Sequence, residues 1–191
     1  MASGLLSSDA CGTGGLPGTC YYGLMATVDE TYMALALEEA RLAADEGEVP
    51  IGAVVVCDGQ VVARAHNRRE TEHDPSAHAE FAALVQASQA LERWRLSGCT
   101  VYVTLEPCLM CAGLMVNSRI DRCVYGASDP KGGALGTLYD VSHDARLNHE
   151  FEVVPGVMAE ECAELLRSFF RELRRKAKEK AALSQPREGE A

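Results

Sequence analysis

Apolar positions along this chain alternate between two periods. Met33, Ala36, Leu37, Ala40, Ala43 and Ala44 recur at three- and four-residue intervals, which predicts one buried helix face. Thr27-Val28-Asp29-Glu30 precedes them with capping-box spacing, in which the Thr hydroxyl and the Glu side chain satisfy opposite free N–H groups. Gly47 is the expected stop. Ile51–Cys57 then reads as a nearly continuous apolar run, the mark of a buried strand. Asp58-Gly59 signals a tight hairpin, with Gln60–His66 as the returning strand. The polar stretch Asn67–Pro75 reads as a loop, and Ser76 is the expected cap of a helix from Ala77 to about Ala90. Cys99–Leu105, rich in Thr, Val and Tyr, is a third strand. Pro107 is expected to open a short helix through about Asn117. Asp121–Gly126 and Glu150–Val154 are further strands, separated by a glycine-rich loop over Ala127–Leu147. Ala159–Lys180 is a long helix with Cys162, Leu165, Leu166, Phe169, Phe170 and Leu173 expected inward.

The order is α-β-β-α-β-α-β-β-α, without an internal repeat. Helices interleaved with strands imply a central sheet covered on both faces, hence one α/β domain, a three-layer α/β/α sandwich on a five-stranded mixed sheet. Residues 27–180 form the expected domain. Residues 1–26, rich in Gly, Ser and Thr, read as a disordered extension, and 181–191 as a frayed tail.

Composition narrows the chemistry. No run of 18 apolar residues exists, so no membrane span is expected. Residues 1–28 lack both the basic start and the apolar stretch of an export signal, which makes a cytoplasmic protein the expectation. Eight cysteines in that compartment point to metal binding or catalysis rather than disulfides. A net charge of −10 argues against indiscriminate nucleic-acid binding. The charge is uneven, however: residues 167–180 carry seven basic and two acidic side chains. Such a tail can touch phosphates locally.

Two short motifs carry the chemistry. His78-Ala79-Glu80 and Pro107-Cys108-Leu109-Met110-Cys111 each follow an expected strand and each lie at a helix start. Alone, each is weak. Together they make a metal site. The positive end of a helix favours thiolates, and residues 108 and 111 share one helical face. Neighbouring strands would bring His78 opposite that face. Three protein ligands leave one position free on a tetrahedral zinc ion, as catalytic sites require. Water there would ionise near neutral pH. Glu80 need not bind the metal and is placed to move its protons.

These motifs resemble the cytidine deaminase-like superfamily and, within it, the bacterial tRNA adenosine deaminases. Glu48-Val49-Pro50-Ile51-Gly52-Ala53, Asn67-Arg68, His73-Asp74-Pro75-Ser76-Ala77-His78-Ala79-Glu80 and Tyr102-Val103-Thr104-Leu105-Glu106-Pro107-Cys108 are similar to segments of that family. So are Asp129-Pro130-Lys131, Gly136-Thr137-Leu138-Tyr139-Asp140, Asn148-His149 and Ser168-Phe169-Phe170-Arg171. The likeness spans about residues 29–180. It implies one Zn2+ per subunit on His78, Cys108 and Cys111, and hydrolysis of adenosine to inosine at the wobble position of tRNA. Hydroxide on zinc would attack C6, with Glu80 as proton shuttle. It also implies a homodimer and a tRNA anticodon stem-loop as partner, with no DNA expected. Asn67 would hydrogen-bond the flipped base, which Ile51 and Leu105 would enclose. Asp129 and Lys131 would meet the adjacent nucleotides. Phe170 and the basic face around Arg171, Arg174 and Arg175 would meet the anticodon loop, recognition that reads splayed bases and needs few phosphates.

Plainer roles stand beside these. Cys57, Cys99, Cys123 and Cys162 are expected in the core, as are Met110 and Met115. Cys11 and Cys20 have no evident role. His66, His73, His143 and His149 are assigned hydrogen-bonding or surface roles. Asn67 and Asp129-Pro130 could each be a turn, and the basic stripe a solvated helix face. Two other functions compete: a deaminase of free guanine, cytosine or cytidine, and a non-enzymatic zinc or RNA-binding module.

Overall fold

A computed structural model describes residues 26–184. The expected N-terminal extension, with Cys11 and Cys20, falls outside the described residues apart from Ala26, and so does 185–191. Helix α1 (Val28–Asp45) starts at Thr27 with the capping box formed in both directions, and its C-terminal turn passes to Gly47 at φ +83°. Strands β1 (Gly52–Cys57) and β2 (Gln60–His66) are joined through Asp58 and Gly59, both at positive φ. Then follow α2 (Arg69–Glu72), α3 (Ala79–Ala90), β3 (Cys99–Leu105), α4 (Leu109–Ser118), β4 (Arg122–Ala127), β5 (Glu152–Pro155) and α5 (Ala159–Ser184).

The sheet order is β2-β1-β3-β4-β5. β1 is antiparallel to β2 and β3, whereas β3, β4 and β5 are parallel, so the sheet is mixed as expected. Alternation along the strands divides two cores. Ala53, Val55, Val101, Val103 and Cys123 face one way, packed with Ala83, Leu84 and Ala87 of α3 and Ala112, Met115 and Val116 of α4. Val54, Val56, Tyr102 and Val124 face the other way, against Met33, Ala36 and Leu37 of α1 and Cys162 of α5. This is the three-layer sandwich.

Register decides what meets at one end of the sheet. Gly52 pairs with His66, and Ala53 with Val103. The next step along brings the start of β1 beside the ends of β2 and β3: the Asn67 N–H donates to the Ile51 carbonyl at 2.9 Å, and the Gly52 N–H to Thr104 Oγ1 at 3.2 Å. Leu105 pairs with Ala127 of β4. Residues Asn67, Ile51, Leu105 and Ala127 therefore form one row across four strands. Both motif helices begin at this row.

Several expected boundaries shift, each for a local reason. Ser76 does not cap α3; its N–H and hydroxyl both donate to Asp74 Oδ1 at 2.7 Å, closing a turn, and the helix starts at Ala79 with His78 at its N-cap. Pro107 likewise lies two residues before α4, whose N-cap is Cys108. The expected loop Asn67–Pro75 contains the one-turn helix α2, closed by His73 at φ 54°. Helix α5 continues to Ser184, since Ala181, Ala182 and Leu183 favour helix and no breaker precedes Pro186. Cys57, Cys99, Cys123, Cys162 and Met115 are buried as expected. Met110 is not: α4 turns Cys111, Ala112 and Met115 inward, which leaves Met110 and Leu109 exposed. Phe170 and Leu173 are also exposed, in contrast to Cys162 about two and three turns before them.

Gly52 is the tightest point between α1 and the sheet. A Cβ there would lie 2.1 Å from the Ala36 carbonyl oxygen and 2.4 Å from the Ala40 nitrogen, both backbone atoms. Gly52→Ala is expected to destabilise the fold by about 1–3 kcal/mol or more through overpacking, read as a lower denaturant midpoint at unchanged slope.

Candidate active site

The two motif helices share an unusual start. His78 (φ −79°, ψ 148°) and Cys108 (φ −76°, ψ 172°) are both N-cap residues in extended conformation, and neither helix has a side-chain cap. The free N–H groups and positive dipole ends of both helices are thus available to anionic groups. The strands preceding them are not neighbours, contrary to expectation: β1 lies between β2 and β3. His78 arrives instead through the loop after β2, where the Arg68 N–H donates to the Ala77 carbonyl at 3.0 Å and holds residues 68–77 as a closed excursion.

The outcome is convergence. Cys108 Sγ and Cys111 Sγ each lie 3.7 Å from His78 Nδ1. One donor atom from each residue falls within 4.8 Å of the others, close enough to hold a metal ion. The electrostatics fit a cation. The Cys111 thiol, helped by His78, pulls the Cys108 thiol down to about 3. The same contact with Cys108, together with burial, pushes the Cys111 thiol far up. His78 is raised, chiefly by its hydrogen bond with Cys108. Between two sulfurs so close, a second negative charge is disfavoured. A divalent cation in the proton's place would let both sulfurs ionise, so the donor set fits a metal.

Glu80 sits in the first turn of α3, two residues after His78, and is 4% exposed. Burial raises its carboxyl above the usual range, and its side chain interacts with Cys111. Its Oε2 is buried without a hydrogen-bond partner. A carboxylate oxygen left bare in the interior is costly, and it stands beside the donor cluster.

The expected substrate residues are spread over the strand-end row, the loop after β4 and a cleft beside α5. Asn67, buried, and Ile51, half-buried, adjoin in the strand-end row. Leu105, half-buried, ends β3 beside Ala127 and leads into Glu106-Pro107-Cys108. Asp129 follows in the loop after β4, where its Oδ1 accepts the Lys131 N–H at 2.9 Å, so it does form a turn. Lys131 lines a cleft of about 500 Å³ with Leu166, Arg167, Phe170, Arg171 and Arg174, none of them a member of the donor cluster. Of the basic stripe, Arg167 pairs with Glu160 and Glu164, and Arg175 with Glu172 and Glu179. The remaining histidines keep to hydrogen-bonding or surface roles: His66 meets Glu39 at 3.0 Å, His149 Nε2 the Ile120 carbonyl at 2.7 Å, His143 Ser142 at 2.8 Å, and His73 is exposed.

Two buried acids, Glu48 and Glu106, have no assigned role in the sequence reading. Glu48, 1% exposed, accepts from Asn67 Nδ2 at 3.0 Å and from the Thr71 N–H at 2.6 Å. Burial opposes its charge, yet the Thr71 hydrogen bonds outweigh that and hold its carboxyl below the usual range. Glu48 thereby fixes the Asn67 amide. Glu106, 2% exposed, accepts the N–H groups of Asp129 and Leu135 at 3.1 Å and of Thr137 at 3.0 Å, as well as the Thr137 hydroxyl. A positional signal existed for Glu106 alone, which stands between the end of β3 and Pro107-Cys108; Glu48 follows other polar residues, Asp45 and Glu46.

Comparison with known proteins gives a family. The chain matches the MafB19-like deaminase family over residues 28–174. It is 56% identical over 152 residues to the tRNA-specific adenosine deaminase of Bacillus subtilis strain 168, covering 80% of this chain and 94% of that protein. A structure from work on A-to-I editing by tRNA:A34 deaminases at the wobble position of transfer RNA superposes with a TM-score of 0.69 at 47% identity, over 71% of this chain and 99% of that one. Guanine deaminase from Bacillus subtilis aligns less fully, with a TM-score of 0.50 at 36% identity over 52% of this chain and 64% of that one. If the cluster holds a metal, Cys108→Ala is expected to lose it, and metal analysis of the purified wild type and variant checks this. Unchanged metal content would remove Cys108 from the ligand set.

Proposed function

Because this chain belongs to the tRNA-specific adenosine deaminases, we propose that it hydrolyses adenosine to inosine at the wobble position of tRNA. The observation that carries the proposal is the convergence of His78, Cys108 and Cys111 within 4.8 Å, next to the buried, unpartnered oxygen of Glu80. A His/Cys/Cys set suits zinc, which when bound there would supply a Lewis acid able to acidify a water molecule toward neutral pH. The chain's own residues supply the rest. Glu80 accepts a proton from the attacking water and returns protons to the ring and to the departing amine, so that C6 gains oxygen and ammonia leaves. Its raised affinity for protons, the result of burial, suits a group that must both take and give them.

Asn67, fixed by Glu48, offers a preset amide to the base. Ile51 and Leu105, next to it in the strand-end row, form the apolar walls. Asp129 and Lys131 meet the flanking nucleotides, and Phe170 with Arg171 and Arg174 continues that surface around the Lys131 cleft. Leu109 and Met110, exposed at the start of the cysteine helix, are apolar surface that the interface of a homodimer would cover. No helix among the described residues is long and apolar enough to cross a membrane. The cytoplasm, where tRNA resides, is the proposed site of action.

The guanine deaminase neighbour keeps a free-base substrate as the second reading. The higher identity to the tRNA-specific relative and the cationic cleft favour RNA. Incubation with a tRNA bearing adenosine at the wobble position, followed by nucleoside digestion, is expected to yield inosine. Absence of inosine from metal-loaded protein, with faster ammonia release from guanine, would replace this substrate with the free base. Glu80→Ala is expected to keep both fold and zinc yet lose about 10²–10⁴-fold in turnover. Wild-type turnover in that variant would remove Glu80 from the chemistry.

A further inference from the structure

We propose that Glu106 is the positioning residue that fastens the RNA-facing loop to the metal-bearing helix. The inference rests on the tRNA reading above. Glu106 lies two residues before Cys108, and the loop in question carries Asp129 and Lys131.

A buried carboxylate must fill about four acceptor sites or find a cation. Glu106 has four hydrogen-bond donors, and all belong to one loop: the N–H groups of Asp129, Leu135 and Thr137 and the Thr137 hydroxyl. No Lys or Arg side chain among the described residues bonds to it. Its own N–H donates to the Ala127 carbonyl at 2.8 Å, which ties the residue to the end of β4. On its other side, the Pro107 carbonyl accepts the Ala134 N–H at 2.9 Å, and Cys108 forms an antiparallel bridge with Gly133. The backbone of the metal-ligand segment and that of the loop are therefore stitched together around a single side chain.

The fit is close enough to exclude a methyl group. A Cβ on Gly133 would stand 2.4 Å from the Glu106 carboxyl carbon and 2.7 Å from the Asp129 carbonyl oxygen. Pinned at residues 129, 135 and 137, the loop holds Lys131 at the cleft with Phe170, Arg171 and Arg174. Only an acceptor-only group serves all four donors. A glutamine of the same shape would turn an NH₂ toward N–H or O–H donors. The loop would then leave its seat while the metal ligands, anchored by their own helices, stayed in place. Glu106 thus sets the distance between RNA grip and reacting centre, and small displacements of substrate relative to catalytic groups are costly.

The test uses the full-length, zinc-loaded enzyme and an anticodon stem-loop with adenosine at the wobble position. In Glu106→Gln, KM is expected to rise about tenfold while kcat changes less than about threefold. Zinc content should be unchanged, and amide hydrogen exchange should accelerate across 129–137 but not in α3 or α4. Thr137→Val should raise KM alone but add little in the Glu106→Gln background, because it acts through the same carboxylate. Gly133→Ala should raise KM with Glu106 intact. Unchanged KM and exchange in Glu106→Gln, or loss of zinc and kcat with KM preserved, would overturn the proposal. If Glu106→Gln fails to fold, unchanged KM in both Thr137→Val and Gly133→Ala overturns it. If the wild type forms no inosine, the tRNA reading fails instead, and exchange at 129–137 in Glu106→Gln still decides whether the carboxylate holds the loop.

Discussion

Everything at this site depends on bringing two sulfurs and an imidazole close enough that they could hold one ion, although the strands that lead to them are kept apart by β1. Two helix N-termini without side-chain caps make this tolerable. Their N–H groups and dipoles lower the cost of negative charge on sulfur, and the closed loop of residues 68–77 delivers the histidine across the gap. The sheet contributes alignment. Its register sets the ends of four strands in a row, and both helices spring from that row.

Three glutamates are buried around this end of the sheet, and their surroundings differ instructively. Glu48 is held charged by the Thr71 N–H and the Asn67 amide. Glu106 is saturated by loop donors. Glu80 alone of the three keeps a buried oxygen without a partner. Satisfied carboxylates build; an unsatisfied one is free to take a proton. The difference in role follows from hydrogen bonding, since residue type and burial are the same for all three.

Much of this was legible in the chain. The Thr27 capping box, the Asp58-Gly59 hairpin, both termini of β2 and β3, and the motif pair are local signals, and local physics sets them. The positions that escaped depend on distant partners. Ser76 has the chemistry of a cap, but Asp74 takes its hydrogen bonds first. Met110 is apolar, yet its angle on α4 is fixed by which residues the sheet demands. Glu48 and Glu106 received no role of their own, because their donors lie 19 to 31 residues away. The three converging donors stood out in the chain for the opposite reason: spacing on one helix turn and position just after a strand or its loop are sequence-local.

The ion pairs along α5 bear on how the protein would meet a polyanion. Arg167 and Arg175 already face glutamates on their own helix, and the body is acidic overall. Few cations remain to displace the ions condensed on an RNA backbone. Complex formation would then release few of them, and its strength would fall only gently as ionic strength rises. On the tRNA reading, an enzyme built this way would gain little from bulk RNA and would depend on contacts to an unstacked loop.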